Sequence, residues 1–215
     1  MSRIFLYADS ADRDAVGSLL GDRLIHGVTT NPTILRREGL GADAAADLYR
    51  EWTGRGAAEV FFQATGADAA EMEASGRRIA GLGSGAVVKV PATAIGFPVA
   101  ARLAANGVPV LVTAVYSSAQ AVTAAAVGAR YIAPYLGRLD DAGVDGLALV
   151  REMVGLLSGT QTHPLVASVR SPERIVELVA SGVRHVTAAP AVLRASLLHD
   201  ASDAAAAVFE RDARS

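Results

Sequence analysis

The sequence predicts an α/β fold, a single (β/α)8 barrel of the TIM type with extra helices at its C-terminus. Three observations predict it. Short apolar runs rich in β-branched residues recur at a steady interval, each is followed by an amphipathic helical pattern, and there are eight of them. Strands alternating with helices of this length form βαβ units on a parallel sheet. Eight units in 215 residues leave about 27 residues for each strand, turn, helix and return, near the minimum for such a unit. An open doubly wound sheet would typically use about five or six strands, so the count favours closure.

In chain order the strands are expected at Ile4–Ala8, Ile25–Thr29, Glu59–Gln63, Ala86–Val90, Val108–Thr113, Tyr131–Ala133, Leu165–Ala167 and His185–Thr187. Amphipathic stretches fill the gaps at Asp12–Leu20, Ala44–Trp52, Ala69–Ala80, Phe97–Asn106, Ser118–Val127, Leu147–Ser158 and Pro172–Ser181. The last three units keep the rhythm of the first five, so residues 1–215 read as one domain. Two further helical segments, Ala191–His199 and Ala201–Asp212, exceed what one closing helix needs. Residues 190–215 are therefore expected to form a helical arm that caps the barrel or reaches a neighbouring subunit.

Composition narrows the partners. The net charge is −2, so no global basic field recruits nucleic acid or an anionic membrane surface. Small molecules are the default. Cysteine is absent, which removes disulfides, thiol catalysis and thiolate metal sites together. Only five apolar residues, Ile4 to Ala8, precede Asp9, too few for a signal-peptide core, and no later run approaches the ~18 needed for a membrane span. The chain reads as soluble and cytoplasmic. One count is more informative: the 20 basic residues are 19 arginines and a single lysine. That lysine, Lys89, sits in Ala86-Val87-Val88-Lys89-Val90-Pro91, inside an apolar strand.

In a (β/α)8 barrel the residues at the C-terminal ends of the strands share one mouth, where active sites are built. Here those ends carry Asp9, Thr29 to Asn31, Gln63, Lys89, Thr113, Tyr135 with Arg138, Ser168 with Arg170, and Thr187. Buried polar groups cost free energy unless paired, so convergence of this many argues for a site. A lysine that attacks a carbonyl must be neutral, which requires a pKa lowered from ~10.4 towards ~7–8. Burial among Val87, Val88 and Val90 would do this. Lys89 either faces the barrel interior or snorkels outward past a helix; Val88 and Val90 are as apolar as Val87, so both faces of its strand look buried.

The other candidates carry two readings each. Asp9 either caps the next helix or takes a sugar hydroxyl and shuttles a proton. Gly27-Val28-Thr29-Thr30-Asn31-Pro32 is either a plain strand-to-helix turn, with Asn31 biased from helix by Pro32, or a hydroxyl-binding segment. Arg138 and Arg170 are forks suited to phosphate, or two of many surface arginines. Tyr135 either polarises a water or packs. Asp140 and Asp141 are expected to pair with Arg138 rather than hold a metal. His26, His163, His185 and His199 follow no metal-ligand spacing and read as structural.

Taken together, Asp9 in Tyr-Ala-Asp-Ser, Gly27-Val-Thr-Thr-Asn-Pro32, Val88-Lys-Val-Pro91, Thr113-Ala-Val-Tyr116, Ala133-Pro-Tyr135, Gly137-Arg-Leu-Asp-Asp141 and Ala167-Ser-Val-Arg170 resemble, in order and spacing, the small transaldolase family. That family includes transaldolases and fructose-6-phosphate aldolases. The resemblance implies that Lys89 forms a Schiff base, that Asp9 is the acid–base carboxylate, and that Thr29 and Asn31 touch substrate. It also implies that Arg138, Ser168 and Arg170 hold a phosphate, and that Thr113 and Gln63 position a catalytic water. Gln63 with Tyr135 is the pairing of the aldolase branch. Leu139-Asp140-Asp141 and Ser168-Val169-Arg170 look more like transaldolase, and Thr187-Ala-Ala-Pro190 departs from the expected Thr-x-Pro.

The reaction so implied is reversible aldol cleavage of a ketose such as fructose 6-phosphate. It yields dihydroxyacetone, held as a lysine enamine, and an aldehyde such as glyceraldehyde 3-phosphate. The alternative is transfer of the dihydroxyacetone unit to a second sugar phosphate, and an idle sugar-binding barrel is the reading of another class. No metal or organic cofactor is needed. The partners expected are a sugar or sugar phosphate and further copies of the chain in a ring or double ring.

Overall fold

The computed structural model describes residues 3–214, and its strands close into a barrel in the order β1-β2-β3-β4-β5-β6-β7-β8. They are β1 (Phe5–Asp9), β2 (Gly27–Thr29), β3 (Glu59–Gln63), β4 (Ala86–Pro91), β5 (Val110–Val115), β6 (Tyr131–Pro134), β7 (His163–Val169) and β8 (His185–Ala188). All neighbours are parallel, and β1 pairs with both β2 and β8 to shut the ring. Each predicted strand is present, with ends moved by a few residues. At β2 the backbones come so close that a Cβ on Gly27 would lie 2.1 Å from the Glu59 carbonyl oxygen, an approach only glycine allows.

Alternation along the strands divides the core in two. One set of side chains, Tyr7, Phe61, Val87, Leu111, Tyr131, Ala133 and Leu165, packs together inside the barrel. The intervening residues, among them Val28, Val60, Val88, Val90, Val112, Ile132 and Val186, meet the helices outside. Both faces of the strands are thus buried, which is why the runs read as continuous apolar sequence rather than as alternating strands.

The outer helices are α1 (Arg13–Gly21), α2 (Pro32–Arg37), α3 (Ala45–Gly54), α4 (Ala69–Ala80), α5 (Gly96–Ala105), α6 (Ser118–Ala126), α7 (Leu136–Asp141), α8 (Gly146–Leu156), α9 (Pro172–Ala180), α10 (Pro190–Ala195) and α11 (Asp200–Asp212). The helices α2 and α7 are not among the expected elements, because six residues are too few to display a helical period. Signals for α2 are nonetheless local: Asn31 caps it, with Pro32 at its first position, a favourable pairing. The C-terminal segments are two helices, as expected. Leu193 of α10 is buried, whereas α11 has no buried residue and exposes Phe209.

Two irregularities shape the mouth. The β5–β6 register shifts between Thr113 and Val115, and the β7–β8 register shifts between Val166 and Val169. Within these stretches Ala114 and Ser168 adopt φ of 58° and 60°. Non-glycine residues rarely take this left-handed conformation, and they concentrate where a strand end must re-aim a side chain.

Candidate active site

Lys89 projects into the barrel from β4 and is 4% exposed. Its outward neighbours Val88 and Val90 are fully buried against the helices, so the snorkelling arrangement does not occur. The Nζ atom donates to the Thr30 carbonyl at 2.6 Å. Thr30 is itself held in place, because its amide and hydroxyl both donate to the Phe61 carbonyl. Burial pushes the Lys89 amine below the usual lysine range, and the nearby Asp9 carboxylate partly opposes this. The balance leaves a lysine less costly to deprotonate than one in water.

Asp9 ends β1, and Asp12 rather than Asp9 caps α1 through the amides of Asp14 and Ala15. The Asp9 carboxylate is therefore free of capping. It accepts from the Thr29 hydroxyl at 2.7 Å, and the Thr29 and Thr187 hydroxyl oxygens are 2.6 Å apart. Since the Thr29 proton is committed to Asp9, Thr187 donates to Thr29. Three strand ends, β8, β2 and β1, are thereby joined by one directed chain that terminates on a carboxylate beside the lysine.

On the opposite wall the Thr113 hydroxyl and the Tyr135 phenol are 2.8 Å apart. Burial raises the Tyr135 phenol, with the Thr113 hydrogen bond acting against it. The Arg138 guanidinium lies 4.8 Å from the Tyr135 ring centroid, and the Tyr116 ring meets Tyr135 edge-on at 6.0 Å. Tyr116 is a rim residue that sequence reasoning places in a motif but not in the site. Gln63 pairs with Lys89 in the β3–β4 register. Two residues after the inward-facing Phe61 on the same strand, it falls on the interior face of the barrel, and with Pro32, Leu35, Phe62 and Ile79 it also borders a cavity of about 460 Å³. Asn31 uses its amide oxygen to accept from Ile34 N at 3.0 Å, and its NH2 group has no hydrogen-bond partner among the described residues.

The phosphate candidates lie on the rim. Arg138 and Arg170 are exposed and Ser168 is half-buried. The expected pairing of Asp140 and Asp141 with Arg138 does not occur. Arg170 donates to both Asp141 oxygens at 2.7 and 2.5 Å, and Arg174 donates to Asp140 at 2.8 Å. The reason is geometric: Arg138 is drawn over the Tyr135 ring, while the last turn of α7 faces the end of β7 and the start of α9. The Arg170 ion pair holds the Asp141 carboxyl below the usual carboxylate range. No pattern in the sequence points to Arg174.

Three of the four histidines gather at the other end of the barrel. There the Glu59 carboxylate accepts from Tyr7 at 2.9 Å and from Tyr131 at 3.1 Å, and forms an ion pair with Arg130 at 3.0 Å. His26 is 3.8 Å from it. His185 Nδ1 is 3.1 Å from the Tyr7 hydroxyl, and the His185 ring stacks on Phe5 and His163. His199 caps α11.

A closed eight-stranded parallel barrel with its polar cluster at the C-terminal strand ends defines a (β/α)8-barrel enzyme. Within that class the chain belongs to the transaldolase/fructose-6-phosphate aldolase family, whose profile matches residues 6–215. A probable transaldolase from Rhodospirillum centenum is 36% identical over 210 residues, spanning 96% of this chain and 89% of the relative. One from Nitrosopumilus maritimus is 35% identical over 198 residues, 90% of this chain and 87% of the relative. Among solved structures, thiamine phosphate pyrophosphorylase from Pyrococcus furiosus superposes with a TM-score of 0.61 at 18% identity, over 88% of this chain and 87% of the other. A mandelate oxidase variant gives 0.61 at 15% identity, over 90% of this chain and 67% of the other. At such identities these two similarities show the fold alone.

Proposed function

We propose that the chain is a class I aldolase that cleaves and forms a fructose 6-phosphate-like ketose through a Schiff base on Lys89. The observation that carries this reading is a buried lysine of lowered pKa lying beside the Asp9–Thr29–Thr187 hydrogen-bond chain. Neutral Lys89 attacks the ketose C2 carbonyl, and Asp9 moves the protons needed to expel water. Asp9 then takes the C4 hydroxyl proton while the resulting iminium accepts the electron pair of the breaking C3–C4 bond, leaving an enamine of dihydroxyacetone and releasing the aldehyde. Thr29 and Asn31 take sugar hydroxyls. Arg138, Ser168 and Arg170 take the phosphate. The Thr113–Tyr135 pair, with Gln63, holds the water from which the enamine carbon is protonated, and hydrolysis of the regenerated iminium frees dihydroxyacetone and Lys89 to end the cycle as an aldolase.

A second reading, transfer of the enamine to another aldose, is favoured by the relatives, which are named probable transaldolases, and by Ser168-Val169-Arg170. Borohydride reduction in the presence of dihydroxyacetone, followed by intact mass, tests the shared chemistry. One reduced adduct per chain, at the sole lysine, is the expected result; an unmodified chain overturns it. Assays with and without erythrose 4-phosphate then separate cleavage from transfer. We also infer a cytoplasmic homo-oligomer in which α11, with Phe209 70% exposed, packs on a neighbour. Removing residues after His199 should lower the subunit number by light scattering, and an unchanged number contradicts the arm.

A further inference from the structure

The glycine at position 137 is the least expected residue of α7. It is buried within the helix and has no positive φ that would demand it, and glycine is a poor helix former. What it does have is a neighbour. A Cβ at this position would lie 2.7 Å from Arg170 Nε, 3.0 Å from its guanidinium carbon and 2.7 Å from the Ser168 carbonyl oxygen. Arg170 therefore rests directly on the helix backbone at Gly137. One turn further on, Asp141 takes both terminal nitrogens of the same guanidinium. An arginine offers five N–H donors in a fixed fork. With two of them spent on Asp141, three remain: the Nε–H beside Gly137 and the second N–H of each terminal nitrogen, which the seating on Gly137 leaves oriented for a ligand. Arg138, adjacent to Gly137 in the chain, is meanwhile held over Tyr135.

We propose that Gly137 is a specificity-determining position, a bare stretch of helix that seats Arg170, with Asp141 as its second anchor, to receive the terminal phosphate of the aldehyde. Gly137 and Asp141 act through Arg170 and are positioning residues. The inference rests on the aldolase reading for its substrate, but the arrangement can be tested without turnover. Any side chain at 137 must displace the guanidinium or press on Ser168, whose backbone is already in the left-handed region.

The test compares Gly137→Ala with the parent in three measurements: inorganic phosphate affinity by calorimetry, and KM and kcat for glyceraldehyde 3-phosphate and for glyceraldehyde with dihydroxyacetone as donor. Loss of one charge-assisted contact should weaken phosphate binding and raise KM for the phosphorylated aldehyde about tenfold or more. The change with glyceraldehyde should stay below about twofold, because no contact to an unphosphorylated aldehyde is altered. Adding Arg170→Ala should produce no further loss beyond Arg170→Ala alone. Asp141→Asn, an exposed change that does not threaten folding, should give a smaller loss of the same kind. Equal changes on both aldehydes, additivity with Arg170→Ala, or unaltered phosphate affinity in both variants would overturn the proposal. A parent that binds phosphate yet forms no reducible adduct would overturn the aldolase reading instead.

Discussion

The two ends of the barrel bury opposite charges in opposite ways. At the C-terminal end Lys89 has a single hydrogen-bond partner among the described residues, the Thr30 carbonyl, for three ammonium donors. At the N-terminal end Glu59 receives two phenols and a guanidinium, with His26 behind them. Between them lies an apolar layer of Phe61, Val87, Leu111 and Leu165. A buried group that is fully paired rigidifies the structure; one left short of partners has its charged form destabilised and is available for chemistry. The ends also differ in backbone. At the lysine end the left-handed Ala114 and Ser168 lie within the strands, where they aim side chains inward, whereas at the other end left-handed residues such as Arg23, Gly56 and Gly107 lie in the loops that enter the strands.

The comparison is broken most directly by exchanging the two effects. Lys89→Met should abolish the reducible adduct and reduce activity to background. It should leave the melting temperature unchanged or raised, because it removes a poorly paired buried amine. Glu59→Gln should do the reverse. Removing the charge to which two buried phenols donate should cost about 1–3 kcal/mol of stability, the half-exposed Arg130 adding little, while adduct formation at Lys89 persists in the folded fraction. An active Lys89→Met enzyme, or a Glu59→Gln protein that is stable but inert, would show that the two ends are not divided as described.

Tyr135→Phe sharpens the account of the lysine end. It should leave adduct formation intact, lower aldol cleavage by about 10²-fold and relatively spare transfer to an added aldose. A phenol that merely packs would instead lose both activities together, in step with a lower melting temperature.

The smallest effect belongs to the glutamate end. Burial holds His185 at about 4, with His163, His26 and Arg130 acting the same way, and burial also lowers His26 against the pull of Glu59. An unfolded histidine takes up its proton near 6.5, so the unfolded chain binds protons more readily as pH falls. The stability contributed by a neutral His185 is complete above about pH 6.5 and is lost towards about pH 4. Between about pH 7.5 and 5 the His185 contribution should fall by about 2 kcal/mol. Thermal melts of the parent and of His185→Gln across this range measure it; identical slopes would mean that the histidine stack does not sense pH.

Much of the lysine end is legible in the sequence. A lone lysine in Val-Val-Lys-Val-Pro, and polar residues at the ends of runs spaced about 27 residues apart, depend only on local pattern and on the rule that barrel strands end at one mouth. The sequence alone therefore determined eight strands, their alternation with helices and the set of side chains that could meet at one end. It did not reveal α2 and α7, which are shorter than a recognisable period, nor the partners of Asp140 and Asp141. The glutamate end was invisible, since Tyr7 lies 52 residues from Glu59 and 178 from His185 along the chain and no spacing rule links them. Whether a polar side chain is satisfied depends on small distances across strands brought together by ring closure. Only the tertiary structure decided that Glu59 is surrounded by donors, that Asp12 rather than Asp9 caps α1, and that Arg170 lies on Gly137. The first and last are contacts between segments whose relative height is set by the stagger of the closed sheet, and the cap depends on the angle at which the chain leaves β1.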